Sequence, residues 1–284
     1  MKKVRLGTTD EFVPAIGQGT WKMGQDPAKR SQEVQALRDG IAHGATLIDT
    51  AEMYSEGEAE RIVADAVHDV RDQIFLVTKV WPTNASYDGV LRAAAGSLRR
   101  LRTDRIDLYL LHWPSAEHPI SETMRAMRKL AEDGSVRYIG VSNFSDELLA
   151  EAQDALGDRL IVCNQVVYNL QNRIIEKRVK PYCDQHGITV MAYSPLGDGR
   201  FPEPGTEGRA VLDKIAAKYG KTPYQVALNW LIAQGNVIAI PKASNPRHAV
   251  ENAQAAGFEL AGEDLAEIAQ AFPLPAGDFV VRRL

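Results

Sequence analysis

Short apolar runs alternate along the chain with longer segments in which apolar residues return every three or four positions. The runs lie at 15–21, 47–49, 74–80, 106–112, 137–143, 161–165, 189–194 and 236–242. They lack helical periodicity and mostly end on a polar residue, as strands buried on both faces do. The segments between them predict helices over 31–43, 58–70, 87–101, 119–132, 146–155, 175–185 and 208–219, then from 223, and finally over 246–255 and 262–271. In 87–101, for example, Val90, Leu91, Ala94, Leu98 and Leu101 fall on one face. Thr222 and Pro223 supply a cap and a first-turn proline for the helix that follows them. Ahead of the repeat, residues 4–6 and 12–13 flank Gly7-Thr8-Thr9-Asp10 and predict a β-hairpin.

Eight strands, each followed by a helix, predict a (β/α)₈ TIM barrel in the α/β class, with the N-terminal hairpin closing its bottom. A doubly wound sheet competes, but no GxGxxG follows the first strand. No linker rich in Gly, Ser or Pro divides the chain, so residues 1–284 are expected to form a single domain.

The 284 residues suffice for one such barrel, and 45% hydrophobic with 25% charged is ordinary globular composition. Lysine and arginine number 33 against 37 acids, for a net charge of −4 without a basic block, which argues against nucleic acid and anionic membrane as partners. Cys163 and Cys183 lack CxxC spacing, the N-terminal segment carries no signal-like apolar stretch, and no apolar run approaches the ~20 residues of a membrane helix. A cytoplasmic monomer is expected.

In a barrel, chemistry gathers at the carboxyl ends of the strands. Here those ends carry Trp21, Asp49, Lys79, His112, Asn143, Gln165, Ser194 and Lys242. Each has a bland reading: Asp49 as a cap, Lys79 as a solvated cation, His112 as a satisfied core histidine. Three such residues on successive strands, with Tyr54 just beyond the first, suit proton transfer better than packing. Zinc hydrolysis wants more than one histidine at the strand ends, a glycosidase wants a second firm carboxylate, and Ser194-Pro195 lacks a nucleophile elbow. A Schiff-base aldolase through Lys79 is opposed by Asp49, which favours the charged ammonium.

Five motifs in order make the whole chain resemble the aldo-keto reductases. They are Leu47-Ile48-Asp49-Thr50-Ala51-Glu52-Met53-Tyr54, Val77-Thr78-Lys79, Asp107-Leu108-Tyr109-Leu110-Leu111-His112-Trp113-Pro114, Gly140-Val141-Ser142-Asn143-Phe144 and Ile240-Pro241-Lys242. The chain looks most similar to short bacterial members that reduce methylglyoxal and other small aldehydes. The resemblance implies a catalytic tetrad of Asp49, Tyr54, Lys79 and His112, no metal, and an extended NADPH, with NADH as the alternative donor. Tyr54 would give a proton to the carbonyl oxygen. An ammonium ~4 Å from a phenol, at an effective dielectric of ~20, favours the phenolate by about 4 kcal/mol before desolvation opposes it.

The same resemblance implies that Ser142, Asn143 and Gln165 hold the nicotinamide carboxamide and that Tyr193 stacks on its ring. Ser194 and Leu196 would begin a loop across the pyrophosphate, with residues 196–208 as a flap. Lys242, Ser244, Arg247, His248, Glu251 and Asn252 would take the adenosine end, Lys242 favouring a 2′-phosphate. The chain departs from the family at Ala243, where Ser or Thr is usual, at His248, where arginine is usual, and over Ser55-Glu56-Gly57-Glu58. Trp21, Met53, Trp81 and Trp113 are expected to wall an apolar substrate pocket. Short segments at 114–119 and 273–284 suggest an open site with broad acceptance of small carbonyls. A regulatory or sensor barrel with little catalysis is the competing reading.

Overall fold

Residues 1–281 are described by the computed structural model. An antiparallel hairpin, β1 (Lys3–Arg5) and β2 (Phe12–Pro14), precedes a parallel sheet of eight strands. These are β3 (Gln18–Gly19), β4 (Leu47–Asp49), β5 (Phe75–Val80), β6 (Ile106–Leu111), β7 (Val136–Ser142), β8 (Ile161–Val167), β9 (Thr189–Tyr193) and β10 (Val237–Ala239), neighbours in chain order. The sheet closes on itself: Gly17 N–H donates to Ala239 O and Gly19 N–H to Pro241 O, with parallel bridges Ile16 to Ala239 and Gly19 to Lys242. Gly19 is required at this seam, because a Cβ there would stand 2.8 Å from Ile240 O.

The outer layer consists of α1 (Arg30–Ala42), α2 (Glu58–Val67), α3 (Tyr87–Leu101), α4 (Ile120–Glu132), α5 (Asp146–Leu156), α6 (Val179–Gln185), α7 (Glu207–Tyr219), α8 (Pro223–Ala233), α9 (Pro246–Gln254) and α10 (Gly262–Ala271). Local sequence sets their ends. Ser86, Ser145 and Thr206 cap α3, α5 and α7, and Thr222 forms a capping box with Gln225 at α8. Trp230 is buried among core side chains, edge-on to Tyr168. Among the described residues no helix is long and apolar enough to cross a membrane. The last three residues of the short tail at 273–284 lie outside the described residues.

Besides end shifts such as that of α2, which stops at Val67 where 70 was expected, three expected elements differ. The helix expected over 175–185 breaks at Arg178, with φ −140°, and restarts as α6. Pro181 cannot donate an intrahelical hydrogen bond, and the restart places it in a first turn, where no bond is needed. The strand expected over 236–242 shrinks to Val237–Ala239 because Pro241 has no ladder N–H and Asn236 sits at φ +46°. The strand expected over 15–21 reduces to Gln18–Gly19 and the bridge at Ile16, since the chain turns from Trp21 onward.

The hairpin plugs the amino-terminal mouth. Leu6 and Val13 join Phe75, Val162, Met191 and Ile238 in the core cluster that fills the barrel, and Gly7 N–H donates to Thr189 Oγ1 at 2.7 Å. Below it, Asp107 accepts from Arg71 Nη2, Arg137 Nη1 and Leu76 N–H, while Arg137 continues to Glu11 beside β2.

Candidate active site

Strand alternation puts the lysine inside. In β5, Phe75 and Val77 point into the barrel, Leu76 and Val80 pack outward, and Thr78 donates outward to Glu60 of α2. Lys79 therefore points inward, two residues beyond Val77, and is fully buried. Its Nζ donates to Asp49 Oδ1 at 2.7 Å, Thr50 O at 2.8 Å and the Tyr54 hydroxyl at 3.2 Å. Those three acceptors match the three protons of an ammonium. The second Asp49 oxygen accepts from Gln165 Nε2 at 2.7 Å, so the carboxylate is held from both sides.

Tyr54 reaches the lysine because the chain after β4 turns through left-handed Ser55 (φ +48°), Glu56 (φ +55°) and Gly57 (φ +85°). Ser55 Oγ secures this turn on Met23 O at 2.7 Å. His112 follows β6, and its ring meets Tyr54 and Trp81 edge-on at 5.6 and 5.1 Å between centroids. Asp49, Tyr54, Lys79 and His112 thus share one buried floor.

Electrostatics separates their protonation states. Burial opposes a charged Lys79, but Asp49 and Tyr54 outweigh it and hold the amine above its ordinary value. Burial pushes the Tyr54 phenol up, against the pull of Lys79 and with help from Asp49. The expectation that the ammonium makes this phenol acidic is therefore reversed in the resting protein: desolvation wins and Tyr54 keeps its proton. Burial, aided by Lys79, drops His112 well below the usual imidazole value, so the ring is neutral at pH 7. Its Nδ1 has no partner among the described residues.

Above this floor opens a cleft of about 650 Å³. Trp21, Met53, Trp81 and Trp113 line it, together with Ser142, Asn143, Gln165, Tyr193, Ser194, Leu196 and Lys242. Asn143 donates to His112 O and Ser142 Oγ and accepts from the Tyr193 hydroxyl at 3.0 Å, linking three strand ends. Asn143 and Ser194 adopt φ +64° and +47°, left-handed conformations that non-glycine residues rarely hold. Ser244 accepts from Lys242 Nζ at 2.5 Å. On α9, Arg247 and His248 are exposed, Arg247 pairs with Glu251, and Asn252 lines a small cavity under Gly17 and Pro241. The structure does not bring these α9 residues into the cleft; they stand behind its Lys242 end. Among the described residues no group of three or more His, Cys, Asp or Glu is placed to hold a metal ion.

Sequence reasoning missed Glu33. It is buried in α1, accepting from Ser244 Oγ and Gly24 N–H, and thereby braces the Lys242 end of the cleft. The available signal was its position three and four residues before Ala36 and Leu37 on the buried face of α1. Lys22, with φ +65°, and Asp198 with Gly199 also line the cleft without having been singled out.

A closed eight-stranded parallel barrel with an ion-paired lysine, a phenol and a neutral imidazole at its carboxyl-terminal mouth defines a proton-transfer enzyme of the TIM-barrel class. The chain belongs to the Aldo/keto reductase family, whose model matches residues 15–272. It is 44% identical over 268 residues to the methylglyoxal reductase YeaE of Escherichia coli, covering 94% of each chain. It is 34% identical over 260 residues to the glyoxal reductase of Bacillus subtilis, covering 90% of this chain and 88% of the relative. A Klebsiella pneumoniae aldo/keto reductase, solved with NADP and acetate, superposes with a TM-score of 0.90 at 43% identity, covering 100% of this chain and 99% of that one.

Proposed function

We propose that this protein reduces small aldehydes and ketones to alcohols with NADPH, using Asp49, Tyr54, Lys79 and His112 as its catalytic group. The observation that carries the reading is the three-way contact of Lys79 with Asp49, Thr50 O and the Tyr54 hydroxyl at the cleft floor. The donor set of the cleft fits a nicotinamide dinucleotide. Ser142, Asn143 and Gln165 offer amides and a hydroxyl at one end, Tyr193 offers an aromatic face, and Lys22 and Lys242 offer cations at the other. The nicotinamide, when bound, supplies the hydride.

The residues of the chain manage the proton. Tyr54 is protonated at neutral pH and gives its proton to the carbonyl oxygen as negative charge develops there. Lys79, 3.2 Å from the hydroxyl, stabilises the phenolate left behind, by about 5 kcal/mol at an effective dielectric of ~20. The resting structure already holds the hydrogen bond from Lys79 to the hydroxyl, but the full charge–charge attraction exists only once the phenol ionises, and that increment lowers the barrier. Asp49 keeps Lys79 charged and aimed, which also removes the neutral amine that a Schiff-base aldolase needs. His112, neutral and walled by Trp81, positions the carbonyl oxygen by hydrogen bonding.

Trp21, Met53, Trp81 and Trp113 give the substrate end an apolar wall suited to short carbonyl compounds. The relatives named for methylglyoxal and glyoxal support short dicarbonyls as the first substrates to try. The test follows NADPH absorbance with methylglyoxal. Tyr54→Phe is expected to cut turnover by about 100- to 10,000-fold while leaving NADP⁺ affinity within about twofold. Turnover near the wild-type rate in that variant would sink the assignment.

A further inference from the structure

On the outer wall, behind the turn at 55–57 and lined by none of the residues of the cleft, α1, α2 and α3 and the turn after α3 enclose a second concavity of about 530 Å³. Arg30, Arg61, Arg99, Arg100 and Arg102 line it, and the acid among its lining residues is Asp65. Asp65 is taken by Arg30 and Arg102, and Glu58 by Arg30 and Arg61. Arg100 donates to the buried Glu60 at 2.5 Å. Arg99 has no acidic partner among the described residues. Five guanidiniums thus face three carboxylates in a protein whose net charge is −4.

Two features make this more than a solvated charge cluster. First, Arg100 reaches the centre of the group because two glycines leave it room. A Cβ on Gly57 would lie 2.5 Å from Arg100 Cδ, and one on Gly96 would lie 3.1 Å from Arg100 Nη1. Second, the central guanidinium is fixed before any ligand arrives. Glu60 holds Arg100 with one oxygen while its other accepts from Thr78 Oγ1 at 2.7 Å, and Ser97 Oγ receives Arg100 Nη2. A fixed guanidinium fork loses little freedom on binding an oxyanion, and several together match the multiple oxygens of a phosphate group.

We propose that this concavity is a binding site for a polyvalent phosphate-class anion, separate from the cofactor cleft. The anion adds the negative charge that the five arginines lack, with Arg99 and Arg61 swinging onto it and Arg100 as the fixed donor. A small anion suits the site better than an acidic protein segment because the cations line a hollow instead of a raised ridge.

The test uses the full-length protein saturated with NADP⁺, so that the Lys242 end of the cleft is filled, and titrates inorganic pyrophosphate by calorimetry. Saturable binding is expected, weakening as salt rises. Arg99→Ala should lower affinity about tenfold, the scale of one hydrogen bond between charged groups, and the double variant R61A/R99A should lower it further. Lys242→Ala should leave pyrophosphate binding unchanged, and that variant replaces NADP⁺ saturation should the cofactor reading itself fail. Both arginines are exposed, so an unchanged circular dichroism melt verifies that the variants fold. Absence of saturable binding, binding indifferent to R61A/R99A, binding abolished by Lys242→Ala, or binding of polyglutamate but not pyrophosphate would each overturn the proposal.

Discussion

The two mouths of this barrel hold buried charge in opposite ways. At the amino-terminal mouth, Asp107 meets two arginines and a backbone N–H, and Arg137 ties the same ladder to Glu11 of the hairpin segment. At the carboxyl-terminal mouth, Lys79 and Asp49 are equally well paired, but around them sit two of the three buried side-chain atoms without a partner among the described residues, His112 Nδ1 and Thr50 Oγ1 (the third is Tyr109 Oη, under the helices), and a ring of left-handed residues that includes Lys22, Ser55, Asn143 and Ser194. Unsatisfied atoms and strained backbone cost stability wherever they occur. Most of them gather at one mouth, the one that opens into the cleft, whereas the charges at the other mouth are fully paired.

The sharpest way to break this contrast is to remove one charge from each mouth. Lys79→Met strands a buried Asp49 and removes the cation that receives the phenolate. We expect turnover to fall by at least about 100-fold across pH 6 to 9, far more than NADP⁺ affinity, and stability to fall by about 3–5 kcal/mol in urea melts. A rate close to wild type over that range would end the proton-donor scheme. Asp107→Ala leaves the Leu76 N–H without its acceptor and removes the carboxylate shared by Arg71 and Arg137 at the opposite mouth. A stability loss of about 1–3 kcal/mol is expected there, with kcat at temperatures below the melt unchanged. If Asp107→Ala lowered kcat as Lys79→Met does, the two mouths would not be separable.

Much of this contrast was legible before any coordinates. Short apolar runs ending on polar residues placed Asp49, Lys79 and His112 at successive strand ends with Tyr54 just beyond the first, and the family resemblance joined them as a tetrad, because a barrel leaves one end for polar groups. The ledger of protonation was not legible. Coulomb attraction between Lys79 and Tyr54 follows from proximity alone, whereas the burial that overrides it depends on how Trp21, His112 and the loop at 53–57 close around the phenol. Glu60 and Glu33 were hidden for a related reason. A glutamate on an amphipathic helix reads as solvent-facing, and only the packing of α2 on Thr78 and of α1 beneath Ser244 buries these two. The break at Arg178 could have been read from Pro181, which the apolar spacing of 175–185 masked.

The mildest effect concerns His112 and acid. Its folded-state value lies well below the ordinary imidazole value because burial, and next Lys79, disfavour the cation. The unfolded chain therefore binds a proton here at a pH where the folded chain does not, and protonation favours unfolding. The contribution is whole above about pH 6.5, where an unfolded histidine is neutral, and is lost progressively as pH falls toward the folded value. Replacing the ring with His112→Asn removes this one linked proton. The wild-type melting temperature should thus fall more steeply than that of the variant on going from pH 7 to pH 5, with the two curves parallel above pH 7. Parallel curves throughout would mean that folding leaves the proton affinity of His112 unchanged, and a shallower fall for the wild type than for the variant would mean that His112 is already charged in the folded protein at pH 7. It could then still donate to a carbonyl oxygen, but the neutral imidazole assigned to the reducing site, and with it the sharpest electrostatic difference between the two mouths, would have to be given up.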